Sequence, residues 1–490
     1  MNELARNLVL RHLNRPEYVP YPEGLLSDMY WSIFEVAGWR AGDGGGAKAR
    51  GLIYDADGQT GGLNWTLEST RPGPDISKWK DGLRRSSLAV VDNGDPIAEA
   101  ITASLLGIRS KQARRRPATP LSPNIGLLQN RIGIMAKARP QNISEIIEEM
   151  YRLGAASGPE SVTETDSACG RLGRAAARRL DSDDFLRTID EAVRLGIFPQ
   201  EKVNRRAVGE EGAVTHRENC LPPNNPFVWF HRSWSRLTSD VWVDALPARR
   251  WADWATAVLR TAIGFGFLWE MYWYESIARH ILGVGRTGAA DHSLATIWVS
   301  TRARPVMDWE PSSSSVERRD VSSSMKALVE KGVAIRLVLD EMIGEDSEET
   351  VDEAVRRLAG DSDARDDLER ALQREGGATG SAKNFWEAVR YSLGIRDESG
   401  SFPDYYGVLR KRGRRYLLID PETEWVAVIA SLTCGIPSDR STLREVRNEL
   451  SCLGLQPSVS ELVLQLERAG LARSSPDADD AVYVEAAYGG

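Results

Sequence analysis

Cysteine and histidine are both scarce in this chain of 490 residues, which holds four of the first and five of the second. Cys169, Cys220, Cys434 and Cys452 are scattered with no close CxxC pair, so neither a disulfide framework nor a zinc ribbon is expected. No Walker A sequence occurs, which removes the commonest phosphate cradle. Long apolar runs are missing as well. The most hydrophobic tract, Ala255 to Tyr274, is interrupted by Arg260 and Glu270, whereas a spanning helix needs about 20 nearly uncharged residues, so the tract reads as a buried helix. The N-terminus lacks a basic-then-apolar signal pattern, and a reduced cytoplasm is the expected setting. Lysine is rare, at 10 residues against 52 arginines, a bias that reads as a GC-rich bacterial genome and not as selection for phosphate forks. The net charge of −8 argues against a surface that coats nucleic acid, while leaving room for local basic patches.

The length accommodates roughly two to four domains, with cores large enough to need no disulfide or metal. In residues 1–115, Asn2 to Leu13 and Gly24 to Trp39 have helical spacing. Gly51 to Tyr54 and Leu63 to Glu68, separated by Asp57-Gly58 and Gly61-Gly62, predict a β-hairpin. A short strand, Ser87 to Val91, and a helix, Pro96 to Leu106, complete a small α/β lobe. Three prolines and a basic triplet between Arg114 and Pro123 mark a boundary, so 116–142 is assigned as a linker.

Helices dominate residues 143–400. They are expected over Ile143 to Leu153, Cys169 to Leu180, Asp183 to Leu195 with Ser182 as cap, Met325 to Met342, a charged pair from Glu345 to Arg374 broken at Gly360, and Lys383 to Leu393. The tract from Phe227 to Trp309 carries nine of the fifteen tryptophans. Such density signals either an aromatic core between helices or an interface, and the helix-spaced pairs Trp251 with Trp254 and Trp269 with Trp273 point to core.

The last block, 401–490, is the most legible. Tyr405 to Leu409 and Tyr416 to Ile419 read as strands around a charged turn at Gly413. Asp420-Pro421 starts a helix with Trp425, Val428, Ile429 and Leu432 on one face, ending near Gly435. Thr442-x-x-Glu445 opens a second helix, with Leu443, Val446 and Leu450 as its stripe and Gly454 as its stop. Ser458-x-x-Glu461 opens a third, striped by Val459, Leu462, Val463 and Leu466 and closed at Gly470. Leu471 to Arg473 and Ala481 to Tyr488 then alternate like paired strands around a polar tip, Ser474 to Asp480.

This order of elements, with the junction Leu466-Glu-Arg-Ala-Gly-Leu-Ala472, resembles the winged helix-turn-helix of bacterial regulators, over about a sixth of the chain. The resemblance implies a third helix that enters the DNA major groove and a wing that meets phosphates. The solvent face expected for that helix is Ser460, Glu461, Leu464, Gln465, Glu467 and Arg468, and the wing tip carries Asp477, Asp479 and Asp480. Both are acidic, which departs from the family's pattern because phosphate neutralisation supplies most of the affinity. Positive charge lies beside them, in Arg410, Lys411, Arg412, Arg414 and Arg415, and in Arg440, Arg444 and Arg447. With Gln465 and Arg468 these form the candidate nucleic-acid-binding set, available to a tilted or backbone-only docking. The bland reading of Arg410 to Arg415 is a charged hairpin turn.

No catalytic constellation emerges. Gly283-Val-Gly285-Arg-Thr-Gly288 matches the dinucleotide fingerprint by letter but follows a long helix, so it reads as a helix-terminating loop. His216, Cys220 and His231 have no evident fourth zinc ligand. Ser323-Ser-Met-Lys326 resembles the Ser-x-x-Lys of penicillin-recognising enzymes without its companion motifs. Arg286 with His292 resembles a helical ribonuclease pattern, and Asp75 with Lys78 and Lys80 lacks the strand-borne Glu-x-Lys of a metal-dependent nuclease.

The sequence is therefore read as a mainly α, multidomain protein: a small N-terminal α/β lobe (1–115), a linker (116–142), a Trp-rich helical body (143–400) and a C-terminal winged-helix domain (401–490). The expected function is a non-catalytic scaffold or DNA-associating accessory subunit of a bacterial multi-protein complex, with other protein subunits and duplex DNA as partners and no membrane, metal or cofactor. A motif-poor helical body ending in a winged helix resembles, in architecture alone, accessory subunits of phage-defence and restriction gene clusters. The alternatives are a stand-alone winged-helix transcription regulator and a cryptic nuclease.

Overall fold

A computed structural model describes residues 13–16, 22–36, 51–56, 63–68, 119–128, 143–155, 166–197, 203–205, 221–284, 297, 306–343, 351–374, 380–396, 404–413, 415–473 and 482–488. The protein is mainly α-helical. A 3₁₀ turn at Pro22–Gly24 leads into α1 (Leu25–Ile33) and β1 (Phe34–Val36). The hairpin is present as β2 (Gly51–Ala56) and β3 (Leu63–Glu68), antiparallel with Gly51 opposite Glu68 and Ala56 opposite Leu63. Next come α2 (Pro123–Leu128), α3 (Ile143–Ala155), α4 (Ala168–Ser182), α5 (Asp184–Ile197) and β4 (Val203–Arg205), which pairs antiparallel with β1. The tryptophan tract folds as α6 (Pro226–Leu237), α7 (Asp240–Ala245) and α8 (Ala248–Leu282), followed by α9 (Ser322–Ile343), α10 (Val351–Gly360), α11 (Ser362–Leu372) and α12 (Ser381–Leu393).

The architecture is organised around α8, whose 35 residues span about 52 Å at the standard helical rise. It is buried on nearly every face from Trp251 to Ile281, the condition of a helix that is apolar all round and enclosed by protein. Packed against it are α6, α9 and α12. It stops at Gly283, which takes the left-handed conformation (φ 71°) that closes a helix.

Eight of the nine tryptophans in the tract are described, and all eight are buried, so the aromatic tract is core. Trp269 and Trp273 stack with ring centroids 5.7 Å apart. Buried indoles reach carbonyls where one is in range: Trp234 Nε1 donates to Ala168 O at 3.0 Å, and Trp251 Nε1 to Leu237 O at 2.9 Å. This is the partner that a buried indole N–H requires.

Several boundaries differ from those the sequence suggests. α1 ends at Ile33, where the chain turns into β1, instead of running on toward Trp39. It packs on α3, α4 and α8, and Asp28 Oδ2 accepts the Ser144 amide at 3.0 Å, so this N-terminal segment belongs to the helical body. Part of the expected linker is α2, which packs on α1 and α5. Asn124 holds it there by donating its backbone N–H (2.9 Å) and its Nδ2 (2.7 Å) to the Asp190 carboxylate. The cap of α5 is Asp183, accepting from Leu186 N at 2.9 Å, because the Ser182 hydroxyl is engaged in donating to Arg179 O. The helix expected over Asn2 to Leu13 lies outside the described residues except for Leu13, as do Ser87 to Val91 and Pro96 to Leu106.

Close helix contact rests on missing side chains. A Cβ on Gly154 of α3 would lie 2.0 Å from the Phe227 carbonyl oxygen of α6, and backbone cannot yield as a flexible side chain can. Gly154→Ala is therefore expected to destabilise by about 1–3 kcal/mol despite alanine's better helix propensity. Gly360→Ala, where a Cβ meets open space, is expected to be neutral or mildly stabilising. Thermal denaturation followed by circular dichroism compares them, and equal midpoints would contradict the contact.

Burial also sets a pH dependence. Glu270 is fully buried in α8, accepts from the Leu13 amide and the Tyr274 hydroxyl at 3.0 Å each, and lies 4.0 Å from Arg336. Burial pushes its carboxyl up to about 7, against the pull of Arg336 and those two donors. The folded state thus keeps a proton that the unfolded chain releases near pH 4.5, so stability falls as pH rises from there toward 7. Glu270→Gln keeps an acceptor and removes the titration. It should flatten denaturant-derived stability across that window, by on the order of 3 kcal/mol, and an unchanged slope would assign the titration elsewhere.

Candidate nucleic-acid interface

The C-terminal block begins with an antiparallel hairpin of β5 (Leu409–Arg412) and β6 (Tyr416–Ile419), turned at Gly413 with φ 62°. Then follow α13 (Thr423–Thr433), β7 (Arg440–Thr442), α14 (Leu443–Cys452), α15 (Val459–Arg468), β8 (Ala472–Arg473) and β9 (Tyr483–Glu485). The last three strands form an antiparallel sheet in the order β7-β9-β8. The block is tied to the body: Trp425 Nε1 donates to Thr261 Oγ1 at 2.9 Å, Arg236 Nη1 to Leu432 O at 2.8 Å, and Trp242 Nε1 to Gly435 O at 2.7 Å.

The hairpin is fixed along both edges. Val321 N donates to Leu417 O and Leu417 N to Asp320 Oδ1, each at 2.9 Å, while Ile395 N donates to Leu409 O at 2.9 Å. Burial works to raise the Asp320 carboxyl, but the Leu417 and Ser322 donors and the Arg415 charge outweigh it and hold it below its ordinary value. Lys411, Arg412 and Arg415 are exposed around the turn, with Arg415 over the Tyr416 ring at 5.6 Å. Arg414 lies outside the described residues.

Arg410 does not belong with them. Its Nε donates to Asp420 at 2.8 Å and its Nη2 to Glu422 at 2.7 Å, so two carboxylates neutralise a largely buried guanidinium. The same contact removes Asp420 from its expected role as helix cap. The N-cap of α13 is Glu422, without a side-chain capping bond.

On α14 the expected capping box is complete, with Thr442 Oγ1 accepting from Glu445 N and the Glu445 carboxylate accepting from Thr442 N. Arg444 and Arg447 are exposed and make no ion pair with a described residue. Arg440 pairs with Glu485 at 2.7 Å, which sets a carboxylate beside any phosphate it would meet. Behind these residues α14 rests on α6, where Arg232 Nη2 donates to Glu449 at 3.0 Å. Cys452, beside it, has its thiol pushed up to about 11 by burial and by Glu449, which leaves it an unreactive structural residue.

The third helix departs most from expectation. Ser458 caps it, accepting from Glu461 N at 3.2 Å, but the Glu461 carboxylate turns to the body and accepts the backbone N–H and hydroxyl of Ser312, both at 3.1 Å. Gln465 Nε2 donates to the same carboxylate at 3.2 Å. Glu461 and Gln465 are both buried, so Gln465 offers no amide to a ligand in a groove. A body segment runs alongside: Val306 N donates to Gly454 O at 3.1 Å, and Met307 bridges Leu455 in parallel. Ser460, Glu467 and Arg468 remain exposed, together with Val459, which the periodicity had placed inside.

The exposed cations thus fall on three supports, the hairpin turn, the outer face of α14 on α6, and the end of α15 at Arg468. Sequence reasoning had no means of finding the Ser312–Glu461 contact. It joins residues 149 positions apart, and Ser458-x-x-Glu461 spells a local capping box that is itself a complete explanation of the glutamate.

The weaker motifs resolve as follows. Gly283 is the left-handed helix cap, and Gly285 to Gly288 lie outside the described residues. His231 packs at 4.5 Å on the Tyr151 ring, and burial, with the Arg171 charge, pushes its pKa down to about 4, so it is neutral near pH 7. His216 and Cys220 are outside the described residues, among which no group of three His, Cys, Asp or Glu is placed to hold a metal ion. Ser323 is exposed in the first turn of α9, and Lys326 Nζ sits 5.7 Å from the Trp386 ring. Asp75, Lys78, Lys80, Arg286 and His292 lie outside the described residues. Among the described residues no helix is long and apolar enough to cross a membrane. No protein-family model matches the chain, and no curated protein matches it.

Proposed function

We propose that this chain is a non-catalytic accessory subunit of a bacterial multi-protein complex, a scaffold that associates with DNA through its phosphates and does not read bases. Its C-terminal block is read as a winged helix. The succession α13, β7, α14, α15, β8, β9 with β9 central in the sheet supports that reading, because the strand before the second helix must pair with the wing's return strand. The observation that carries the functional reading is the closed inner side of α15, where Glu461 accepts from Ser312, Gln465 donates to Glu461, and both are buried. A recognition helix needs such positions free to reach base edges. A stand-alone regulator would depend on them, which disfavours that alternative.

Phosphate contact needs only exposed, uncommitted cations. Lys411 and Arg412 at the hairpin turn and Arg444 and Arg447 on α14 supply them, and exposed Arg415 adds a charge it shares with Asp320. Protein partners would take the remaining surface of the helical body, and the architecture makes phage defence the setting we propose.

The test is binding of the full-length protein to random-sequence duplex DNA across a salt series, beside a Lys411→Ala/Arg412→Ala/Arg415→Ala variant. Those side chains are exposed, so the variant should keep the fold. Sequence-insensitive binding is expected, with a log–log salt slope that falls by about 2–3 in the variant. Discrimination between sequences by about a thousandfold would restore base reading, and absence of binding at low salt would leave protein docking as the function.

A further inference from the structure

The C-terminal end of α4, the start of α5 and the corner between α7 and α8 surround an open groove of about 1210 Å³. Arg179 lines it and is only 9% exposed. Its Nε and Nη2 are sealed from solvent and find no acceptor among the described residues, which leaves Nη1 as the nitrogen open to the groove. A guanidinium does not surrender its proton in a protein, so burial leaves a charge that only an acceptor can meet.

The neighbouring carboxylates Asp244 and Asp183 pull on the Arg179 charge but give their hydrogen bonds to other donors. Asp244 binds Arg178, which also pairs with Asp240 at 3.1 Å. Asp183 caps α5 through Leu186 N, and Asp184 pairs with Arg187. Asp181 is two positions along the same helix from Arg179, a spacing that turns the side chains apart.

A second feature opens on the same groove. Pro247 and Ala248 line it, and they are the N-cap and first residue of α8, the longest helix among the described residues. Proline has no side chain with which to cap, and no side-chain capping bond is made, so the positive end of a 35-residue helix borders this space without a cap.

We propose that this groove binds a ligand through a single carboxylate, received by Arg179 Nη1 and the uncapped N-terminus of α8. The four aspartates around the rim, at 181, 183, 184 and 244, repel a chain of phosphates, so the site selects an isolated monoanion and not nucleic acid. Phe185 and Val241 are exposed apolar side chains on α5 and α7, the helices that border the groove. The ligand class is a carboxylic acid with an apolar body, either a free small molecule or the C-terminus of a peptide.

Titration calorimetry on the full-length protein tests this with phenylacetate against phenylacetamide, and with acetyl-Ala-Ala-Phe as free acid against its amide. Each acid is expected to bind at least about tenfold more tightly than its amide, and Arg179→Gln to abolish the difference. A preference for the peptide acid would identify a chain terminus as the source, and a preference for phenylacetate a small molecule. Because Arg179 bonds no described residue through its side chain, the variant should fold, and the acid-against-amide comparison in the unaltered protein stands without it. Equal affinity for acids and amides, no binding by any of the four probes, or retention of the difference in Arg179→Gln would overturn the proposal.

Discussion

A helix enclosed on all sides dictates where its neighbours must go, and Arg260 is the point at which α8 does so most firmly. Its guanidinium is buried at mid-helix and reaches Ser392 O at 2.6 Å, Gly394 O at 2.9 Å and the Asp404 carboxylate at 2.7 and 3.0 Å. Burial by itself would raise the Asp404 carboxyl, but Arg260, with Arg396 beside it, holds it below its ordinary value, so the pair stays ionised and the clasp shut. One side chain thereby fixes the end of α12 and the entry to the C-terminal block. Thr261, the next residue, receives Trp425 from α13. Ten positions on from Arg260, Glu270 takes the Leu13 amide and faces Arg336 of α9. The polar residues of an otherwise apolar helix act as addresses for segments distant in sequence, since a buried polar group costs heavily until it is matched.

This anchoring also sets which surface the C-terminal block presents. A winged helix on a flexible tether presents its third helix to solvent. Here α13 and α14 lie on the body, and the segment from Val306 to Ser312 closes over α15. The charge pattern agrees with the packing, because Glu461 in the first turn of α15 would repel a phosphate even if it were uncovered. The hairpin of β5 and β6 is by contrast held at both edges, with Lys411 and Arg412 exposed at its turn and without an ion pair among the described residues.

What was legible in the sequence is what is encoded within one or two helical turns. The buried helix around Ala255 to Tyr274, the break at Gly360, the hairpin at Gly413 and the box from Thr442 to Glu445 all appear, because periodicity, positive-φ glycine and capping are properties of neighbouring residues. The failures share the opposite character. Asp420 has the local grammar of a helix cap but is claimed by Arg410 across the hairpin, and Glu461 has the grammar of a capping box but is claimed by Ser312. A proline-rich stretch read as a linker became α2 because Asn124 found Asp190. In each case a partner remote in sequence outbid a local one, and nothing near the residue announces it.

The arginines carry this lesson into function. With 52 of them, composition cannot distinguish a phosphate contact from a surface residue or a structural clasp. Partners can. Arg260 has a carboxylate and two carbonyls, Arg410 has two carboxylates, and Arg178 bridges Asp240 and Asp244. Arg260 and Arg410 spend their charge inside the fold, and Arg178 is satisfied at the surface. Arg412, Arg444 and Arg447 are exposed with no acidic partner among the described residues, the state in which a cation is free to meet a phosphate at little cost. Arg179 occupies the remaining case, buried without an acceptor, where water compensates least and a ligand's carboxylate would gain most. Exposure and pairing together, and not abundance, separate the arginines that hold this protein together from those available to its ligands.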